Sequence, residues 1–278
     1  MGYAFFIDMG QEITPYIKRL LMSHITGLST VQLLAEPNLQ LTEEQQTWFD
    51  EAVVRLQNNE PIQHILGYSE FYGRKFKCDG RALIPRPETE ELVDWIISDW
   101  SIVNNQQSTV NCLDIGTGTG CISLSLAKEL ANAKITALDI SIEALNLARE
   151  NAEMLEVKNV RFIRCDILEE QDKIDGCYDV IVSNPPYVRE CEMEEMEANV
   201  LDYDPHSALF VSDEDPLIFY RAIGEFALTH LKNGGALYFE INQYLGRETC
   251  DMLVAMGYRN VEMRDDVNGN ARMVKATL

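Results

Sequence analysis

The chain has 278 residues, 46% hydrophobic and 24% charged, an ordinary globular composition with room for one large domain or for a large and a small one. Its formal net charge is −22, from 45 acidic and 23 basic side chains, and residues 1–80 hold only 10 of those acids and 6 of those bases. The acidic surplus beyond residue 80 repels polyanions, whose binding depends on Lys and Arg neutralising phosphates, so DNA and RNA are disfavoured as direct partners.

Seven cysteines are scattered without a C-x-x-C pair, which argues against a disulfide framework or a structural zinc site and for a reducing, cytoplasmic location. Met1 to Gly10 has no basic n-region and Asp8 interrupts its apolar stretch, so no leader is expected. No run approaches the ~18 apolar residues of a membrane span.

From Phe5 to Leu56 the pattern is helical, with breaks at Gly27 and Pro37. Thr42 with Gln45 is a capping-box signature, and Trp48, Phe49, Ala52, Val53 and Leu56 follow at helical spacing, a stripe that reads as core. Pro61 to Gly67 leads into Glu70 to Cys78, two short aromatic runs about Gly73 that read as a hairpin. His64 has no second ligand at metal spacing and reads as a packed or surface histidine. Ile84-Pro85-Arg86-Pro87-Glu88-Thr89-Glu90 stiffens the chain, and Glu88 or Thr89 can open a helix running to Trp100. Residues 101–109 read as a polar loop.

A regular alternation follows. Strands are expected at Val110–Asp114, Lys134–Asp139, Val160–Asp166, Tyr178–Ser183 and Gly235–Ile241, with helices at Cys121–Leu130, Ile142–Leu155, Pro216–Leu231 and Leu245–Met256. Strands Val261–Arg264 and Ala271–Ala276, separated by a turn-like Asn-Gly segment, form an antiparallel edge. The expected fold is α/β, a doubly wound sheet of about seven strands behind a small helical bundle.

The strand Tyr178–Ser183 stops at Asn184-Pro185-Pro186-Tyr187, where two prolines lack N–H donors and the chain must leave the sheet. An ordinary turn would explain this. A chemical use is equally open: the Asn184 side-chain oxygen and the Pro185 carbonyl are two acceptors that can hold both hydrogens of an NH2 group, and Tyr187 offers a flat face to a planar group.

The strand Val110–Asp114 runs into Ile115-Gly116-Thr117-Gly118-Thr119-Gly120 before a helix. Its spacing is G-x-G-x-G, not the G-x-G-x-x-G of a dinucleotide site, and no G-K-[ST] follows, so NAD and a P-loop are disfavoured. Asp139 ends the second strand, where a carboxylate can accept from two ribose hydroxyls. Asp166 ends the third, placed to take an exocyclic adenine amine with Ile167 over the ring, although capping the next segment would also explain it. Glycine loop and acidic strand ends together suit S-adenosylmethionine, whose sulfonium is itself positive.

The motif Asp114 to Gly120, Asp139 and Asn184-Pro185-Pro186-Tyr187 resemble those of class I methyltransferases that act on planar NH2 groups, a Rossmann-like fold. Pro85 to Glu90 and Pro61 to Gly67 narrow the resemblance to the HemK/PrmC family, which methylates the Gly-Gly-Gln glutamine of translation release factors. The resemblance covers nearly the whole chain. It implies catalytic Asn184, Pro185 and Tyr187, a substrate site completed by Pro186, and cofactor contacts from Gly116, Thr117, Gly118, Thr119, Gly120, Asp139, Asp166, Ile167 and Asn184. It also implies a monomer divided into a helical substrate-recognition domain over 1–75, a hairpin linker over 76–88 and a methyltransferase domain over 89–278.

Two departures stand out: Ile167 replaces a frequent aromatic, and Asp213-Glu214-Asp215-Pro216-Leu217 replaces a frequent Asp-Gly-Leu. Asn-Pro-Pro-Tyr is shared with methyltransferases acting on exocyclic amines of DNA and rRNA, which makes such an enzyme one alternative and a non-catalytic cofactor-binding docking protein another. The charge argues against the first; retention of both donor and acceptor motifs argues against the second. The acidic run Glu190 to Glu197 reads as a solvated helix face, or as a surface for a basic partner.

Overall fold

The computed structural model describes residues 13–36, 38–105 and 108–278; the stretch expected to lack a leader, the helical pattern at Phe5 and the break at Pro37 lie outside them. Contacts divide the chain into two compact units, one holding the chain up to Tyr68 with Glu197–Tyr203, the other holding Ser69–Met196 and Asp204–Leu278.

The first unit is helical: α1 (Pro15–Thr26), α2 (Thr30–Ala35), α3 (Glu43–Gln57) and α4 (Ile62–Leu66). Thr42 and Gln45 form the expected capping box, each side chain taking the other's backbone N–H at 3.2 and 3.0 Å. Ser29 and Gln32 form a second at the start of α2, one the sequence reading passed over. Leu21, Phe49, Ala52, Ile65 and Leu66 make the core, and half-buried Trp48 packs on it, stacked on His24 at 5.0 Å. Pro61 to Gly67 is thus α4 and its left-handed glycine cap, Gly67 at φ 75°. The His64 ring meets Tyr203 edge-on at 6.4 Å, a packed histidine.

The second unit opens with a hairpin, β1 (Tyr68–Phe71) and β2 (Arg74–Lys77), then α5 (Pro87–Asn105). Helix α5 starts at Pro87 and continues into the segment expected to be loop, since no Gly or Pro interrupts it. The alternation then runs β3 (Val110–Ile115), α6 (Cys121–Glu129), β4 (Ala133–Asp139), α7 (Ile142–Met154), β5 (Val160–Arg164) and β6 (Tyr178–Ser183). After β6 the chain forms short pieces, β7 (Val188–Arg189), a 3-10 turn over Glu190–Glu195, α8 (Ala198–Tyr203, in the first unit), α9 (His206–Leu209) and β8 (Phe210–Val211). It closes with α10 (Ile218–His230), β9 (Leu231–Glu240), α11 (Gly246–Ala255), β10 (Arg259–Asp265) and β11 (Ala271–Thr277). Strand β9 begins four residues earlier than expected and passes through Gly235, where an added Cβ would meet the Asp179 carbonyl at 3.0 Å.

Seven strands form one sheet in the order β10-β11-β9-β6-β3-β4-β5, parallel from β9 to β5, with β11 and β10 antiparallel at the edge. The period of two sends alternate residues to opposite layers: Val180, Val182, Ala236 and Tyr238 lie in the core beneath α5 and α6, Ile181, Leu237 and Phe239 in the core beneath α10 and α11. Strand order reverses at β3, whose neighbours are β4 and β6, so its carboxyl end borders the crevice where such sheets bind ligands. Among the described residues no helix is long and apolar enough to cross a membrane.

Candidate active site

Register brings the motifs together. Ile115 lies beside Leu138 on one side and Ser183 on the other, so the glycine loop, Asp139 and Asn184 leave adjacent strands at the same level. Asp139 in turn pairs with Arg164, which puts Asp166 two residues beyond the end of the next ladder. A cavity of about 300 Å³ opens at these strand ends, and Gly116, Thr117, Gly118, Thr119, Asp139, Asp166, Ile167, Asn184, Pro185 and Pro186 all line it. Gly120 and Tyr187 do not.

Gly116, Gly118 and Gly120 all have positive φ, at 74°, 55° and 82°. A Cβ on Gly120 would meet Leu124 at 3.1 Å and Ala148 at 3.2 Å, so Gly120 lets the loop close onto α6 and α7. A Cβ on Gly116 would meet nothing nearer than the Asn184 carbonyl at 4.0 Å, so its bareness leaves room within the cavity. The loop is fixed from below by Asp114, the first residue of the motif, and by Ser123 and Asn151, which the sequence reading did not single out. Asp114 Oδ2 accepts the Thr117 hydroxyl at 2.6 Å and the Ser123 N–H at 3.2 Å, and Asn151 donates to the Thr119 carbonyl at 2.9 Å. Burial pushes the Asp114 carboxyl up to about 6, against the pull of those donors.

Each Asp139 oxygen accepts one backbone N–H, Oδ2 from Gly118 and Oδ1 from Ser141, both at 2.9 Å. Each keeps a second acceptor direction, which is what a pair of ribose hydroxyls requires. Burial raises the Asp139 carboxyl while the backbone donors lower it. Asp166 Oδ1 accepts the Leu168 N–H at 2.9 Å in a local turn with no helix behind it, so it is not a helix cap. With bare glycine, a half-satisfied carboxylate and apolar Ile122, Ile140 and Ile167 in its lining, the cavity fits an adenosyl group.

The Asn-Pro-Pro segment lines the same cavity. Asn184 is half-buried and Pro185 buried, and among the described residues no backbone hydrogen bond claims the Pro185 carbonyl. Asn184 Nδ2 donates to Thr89 Oγ1 at 3.4 Å; Thr89, expected as a helix opener, instead sits in the first turn of α5 with its hydroxyl donated to Glu240 Oε2 at 2.6 Å. Tyr187 gives its hydroxyl to Glu240 Oε1 at 3.0 Å, and its ring packs against the core beneath α10 and α11. Its backbone is pinned too, the N–H on Leu209 and the carbonyl on Asn242 Nδ2 at 2.9 Å. The sequence reading has this ring over a planar substrate; the structure places it off the cavity wall. A lone acid closing the apolar run Ala236–Phe239 at a carboxyl strand end was the available signal for Glu240.

Arg86 also lines the cavity, its guanidinium 2.8 Å from the buried Asp204, whose other oxygen accepts the Ile84 N–H at 3.3 Å. This pair ties the proline-rich segment to the start of α9. The acidic run after β7 is a 3-10 turn in which Glu192 turns inward to Asn242 and Arg189, leaving its neighbours on the surface.

A family described as PrmC N-terminal domain matches residues 4–67, and one described as methyltransferase domain matches 106–240. A release factor glutamine methyltransferase of Flavobacterium psychrophilum is 47% identical over 89% of this chain and 86% of its own length. The chain belongs to that family. Its counterpart in Bacteroides thetaiotaomicron is 46% identical over 94% of the chain and 91% of its own length. Among solved structures, a methyltransferase from Pyrococcus furiosus superposes with a TM-score of 0.52 at 20% identity, over 82% of this chain and 98% of that one. The 16S rRNA N2 G1207 methyltransferase of T. thermophilus, in complex with AdoMet and guanosine, gives 0.53 at 15% identity, over 76% and 49%. These two show the class I methyltransferase sheet and no more. The expected family and fold hold.

Proposed function

We propose that this chain transfers a methyl group from S-adenosylmethionine to the side-chain amide nitrogen of the Gly-Gly-Gln glutamine of translation release factors. Family membership along nearly the whole chain supports the reaction. The observation that carries its assignment to this site is that the glycine loop, Asp139, Asn184 and Pro185 all line one cavity. S-adenosylmethionine supplies an electrophilic methyl on a positively charged sulfur.

Gly116 to Thr119 give it room, Asp139 takes its ribose hydroxyls, and Asp166 with Ile167 takes its adenine. Gly120 shapes the loop from behind. Asn184 Oδ1 and the Pro185 carbonyl each accept one hydrogen of the glutamine NH2, with Pro186 stiffening the segment and Tyr187 anchoring its end through Glu240. Held this way, the nitrogen presents its lone pair in line with the methyl, and the two acceptors strengthen as positive charge develops on it. The proton leaves to water after transfer.

The partner is a release factor, met by a monomer in the cytoplasm; the net charge of −22 supports the absence of a direct nucleic-acid contact. The helical unit recognises the substrate protein and the larger unit carries the chemistry; the boundary expected at residue 75 moves to Tyr68, because the hairpin, with Phe71 and Phe76 in the larger core, belongs to the second unit and is no linker. Incubation with labelled S-adenosylmethionine and either a recombinant release factor or total nucleic acid tests this. Label is expected in the factor and is lost when its Gly-Gly-Gln glutamine is replaced by alanine; label in nucleic acid alone would make the exocyclic-amine alternative the better reading.

A further inference from the structure

Thr89 and Glu240 are 2% and 1% exposed, lie 151 residues apart in sequence, and meet directly behind Asn184. A threonine hydroxyl has one hydrogen. Thr89 gives it to Glu240 Oε2 at 2.6 Å, and Tyr187 gives its own to Oε1 at 3.0 Å, so the carboxylate is an acceptor toward both. Thr89 Oγ1 is then left with lone pairs only on its remaining side. Asn184 must answer with Nδ2, as observed at 3.4 Å. An amide that turns its NH2 toward Thr89 turns its carbonyl oxygen away from it, and Asn184 lines the cavity.

We propose that Glu240, acting through the Thr89 hydroxyl, is a positioning residue that fixes the Asn184 amide with Oδ1, not Nδ2, toward the substrate NH2. The inference rests on the amide-methylation reading of this site and deepens it. Its physical content is a difference of sign. With Oδ1 forward, Asn184 accepts a hydrogen from the nitrogen that is to be methylated; with Nδ2 forward it sets one NH2 against another, losing the acceptor and opposing the developing charge. Oδ1 and Nδ2 are nearly equal in size, so packing alone discriminates weakly between the two orientations. A donor–acceptor chain ending in a carboxylate discriminates strongly, because an ionised carboxylate has no hydrogen to give back. Burial holds the Glu240 carboxyl above its ordinary value, and the hydrogens given by Thr89 and Tyr187, with Arg272 behind them, pull it back toward the ionised form.

The test uses the full chain, a release factor as substrate, single-turnover rates and calorimetric S-adenosylmethionine binding. Thr89→Val removes the hydroxyl and keeps the shape; it should lower kcat by about 10- to 100-fold, the size found for outer-shell partners of metal ligands, with KM for the factor and affinity for S-adenosylmethionine little changed. Thr89→Ser should recover most of that rate. Glu240→Gln, equal in size but able to donate, should resemble Thr89→Val, because its amide can push the Thr89 hydrogen round to face Asn184. Combined with Asn184→Ala, Thr89→Val should cost nothing further, since no amide remains to orient. Thr89→Val at full kcat would overturn the assignment, as would a serine variant no better than valine or an additive double variant, either of which would mark Thr89 as packing. A wild-type chain that does not methylate the factor would overturn the amide-methylation reading first and this assignment with it.

Discussion

Asp139 Oδ2 accepts the backbone N–H of Gly118 at 2.9 Å, which makes the acid at the end of β4 and the loop after β3 one piece of structure. Both carboxylate oxygens are partly used, the other by Ser141, which itself caps α7. Asp139→Ala therefore removes two acceptors for ribose and frees the Gly118 N–H together. S-adenosylmethionine binding should weaken by roughly 1–3 kcal/mol, the scale of hydrogen bonds to a charged group. Calorimetry giving the wild-type affinity would remove Asp139 from the site.

Asp114 yields a pH dependence. Its carboxyl is buried and raised to about 6 from an ordinary 3.8. Between those values the unfolded chain has lost the proton that the folded chain retains, so folding stability falls as pH rises through this window. At about 1.4 kcal/mol per unit the cost above pH 6 approaches 3 kcal/mol. Relative to wild type, Asp114→Asn should lack this fall. Urea unfolding of both proteins from pH 4 to 7 measures the difference; parallel curves would mean that Asp114 titrates normally.

The division of the chain bears on substrate recognition. The chain leaves the helical unit at Tyr68 and rejoins it only over Glu197–Tyr203, whereas Phe71 and Phe76 of the hairpin are 1% and 0% exposed in the core of the larger unit. Removing residues 1–75 would strip Phe71 from that core, so the cleaner deletion is 1–68. It should raise KM for a whole release factor, because a second contact surface raises the effective concentration of the loop at the site. Binding of S-adenosylmethionine should persist. Whole factor methylated with unchanged KM would leave the helical unit in need of another role.

Most of the fold was legible because its signals are local. The G-x-G-x-G loop, the acids at strand ends and the period-two apolar runs each occupy a few consecutive residues, and the sheet then follows from the handedness of parallel crossovers. The supports of the site were not legible in the same way. Thr89 meets Glu240 across 151 residues, Asn151 reaches the Thr119 carbonyl across 32, and Asn242 holds the Tyr187 carbonyl across 55. No spacing in one dimension encodes such pairs. Tyr187 shows the converse. A tyrosine next to two prolines reads as a surface for stacking, yet the buried Glu240 carboxylate needs donors, and the tyrosine hydroxyl is one of two that supply them.

How the methyl moves can be tested at Asn184. An amide nitrogen is a poor nucleophile, and deprotonating it first would require a strong base. Among the described residues no histidine or lysine lines the cavity, its carboxylates Asp139 and Asp166 are taken up by the cofactor, and burial pushes the Cys121 thiol there up to about 12, so no group is left to act as general base on the amide. The rate must come from orientation and from acceptors aimed at the developing charge. On that account Asn184→Ala should lower kcat by roughly 10²- to 10³-fold, the usual size for one aimed hydrogen-bonding group, with affinity for S-adenosylmethionine much less affected. Asn184→Asp is the sharper variant. A carboxylate keeps the acceptor and adds attraction for the cation, but it loses the Nδ2 donor and faces the lone pairs of Thr89, whose hydrogen is held by Glu240 at 2.6 Å. The variant should therefore fall short of wild type while exceeding Asn184→Ala. None of the three should show kcat rising steeply near neutral pH. Such a rise, surviving both substitutions, would reveal a titrating base and sink the mechanism.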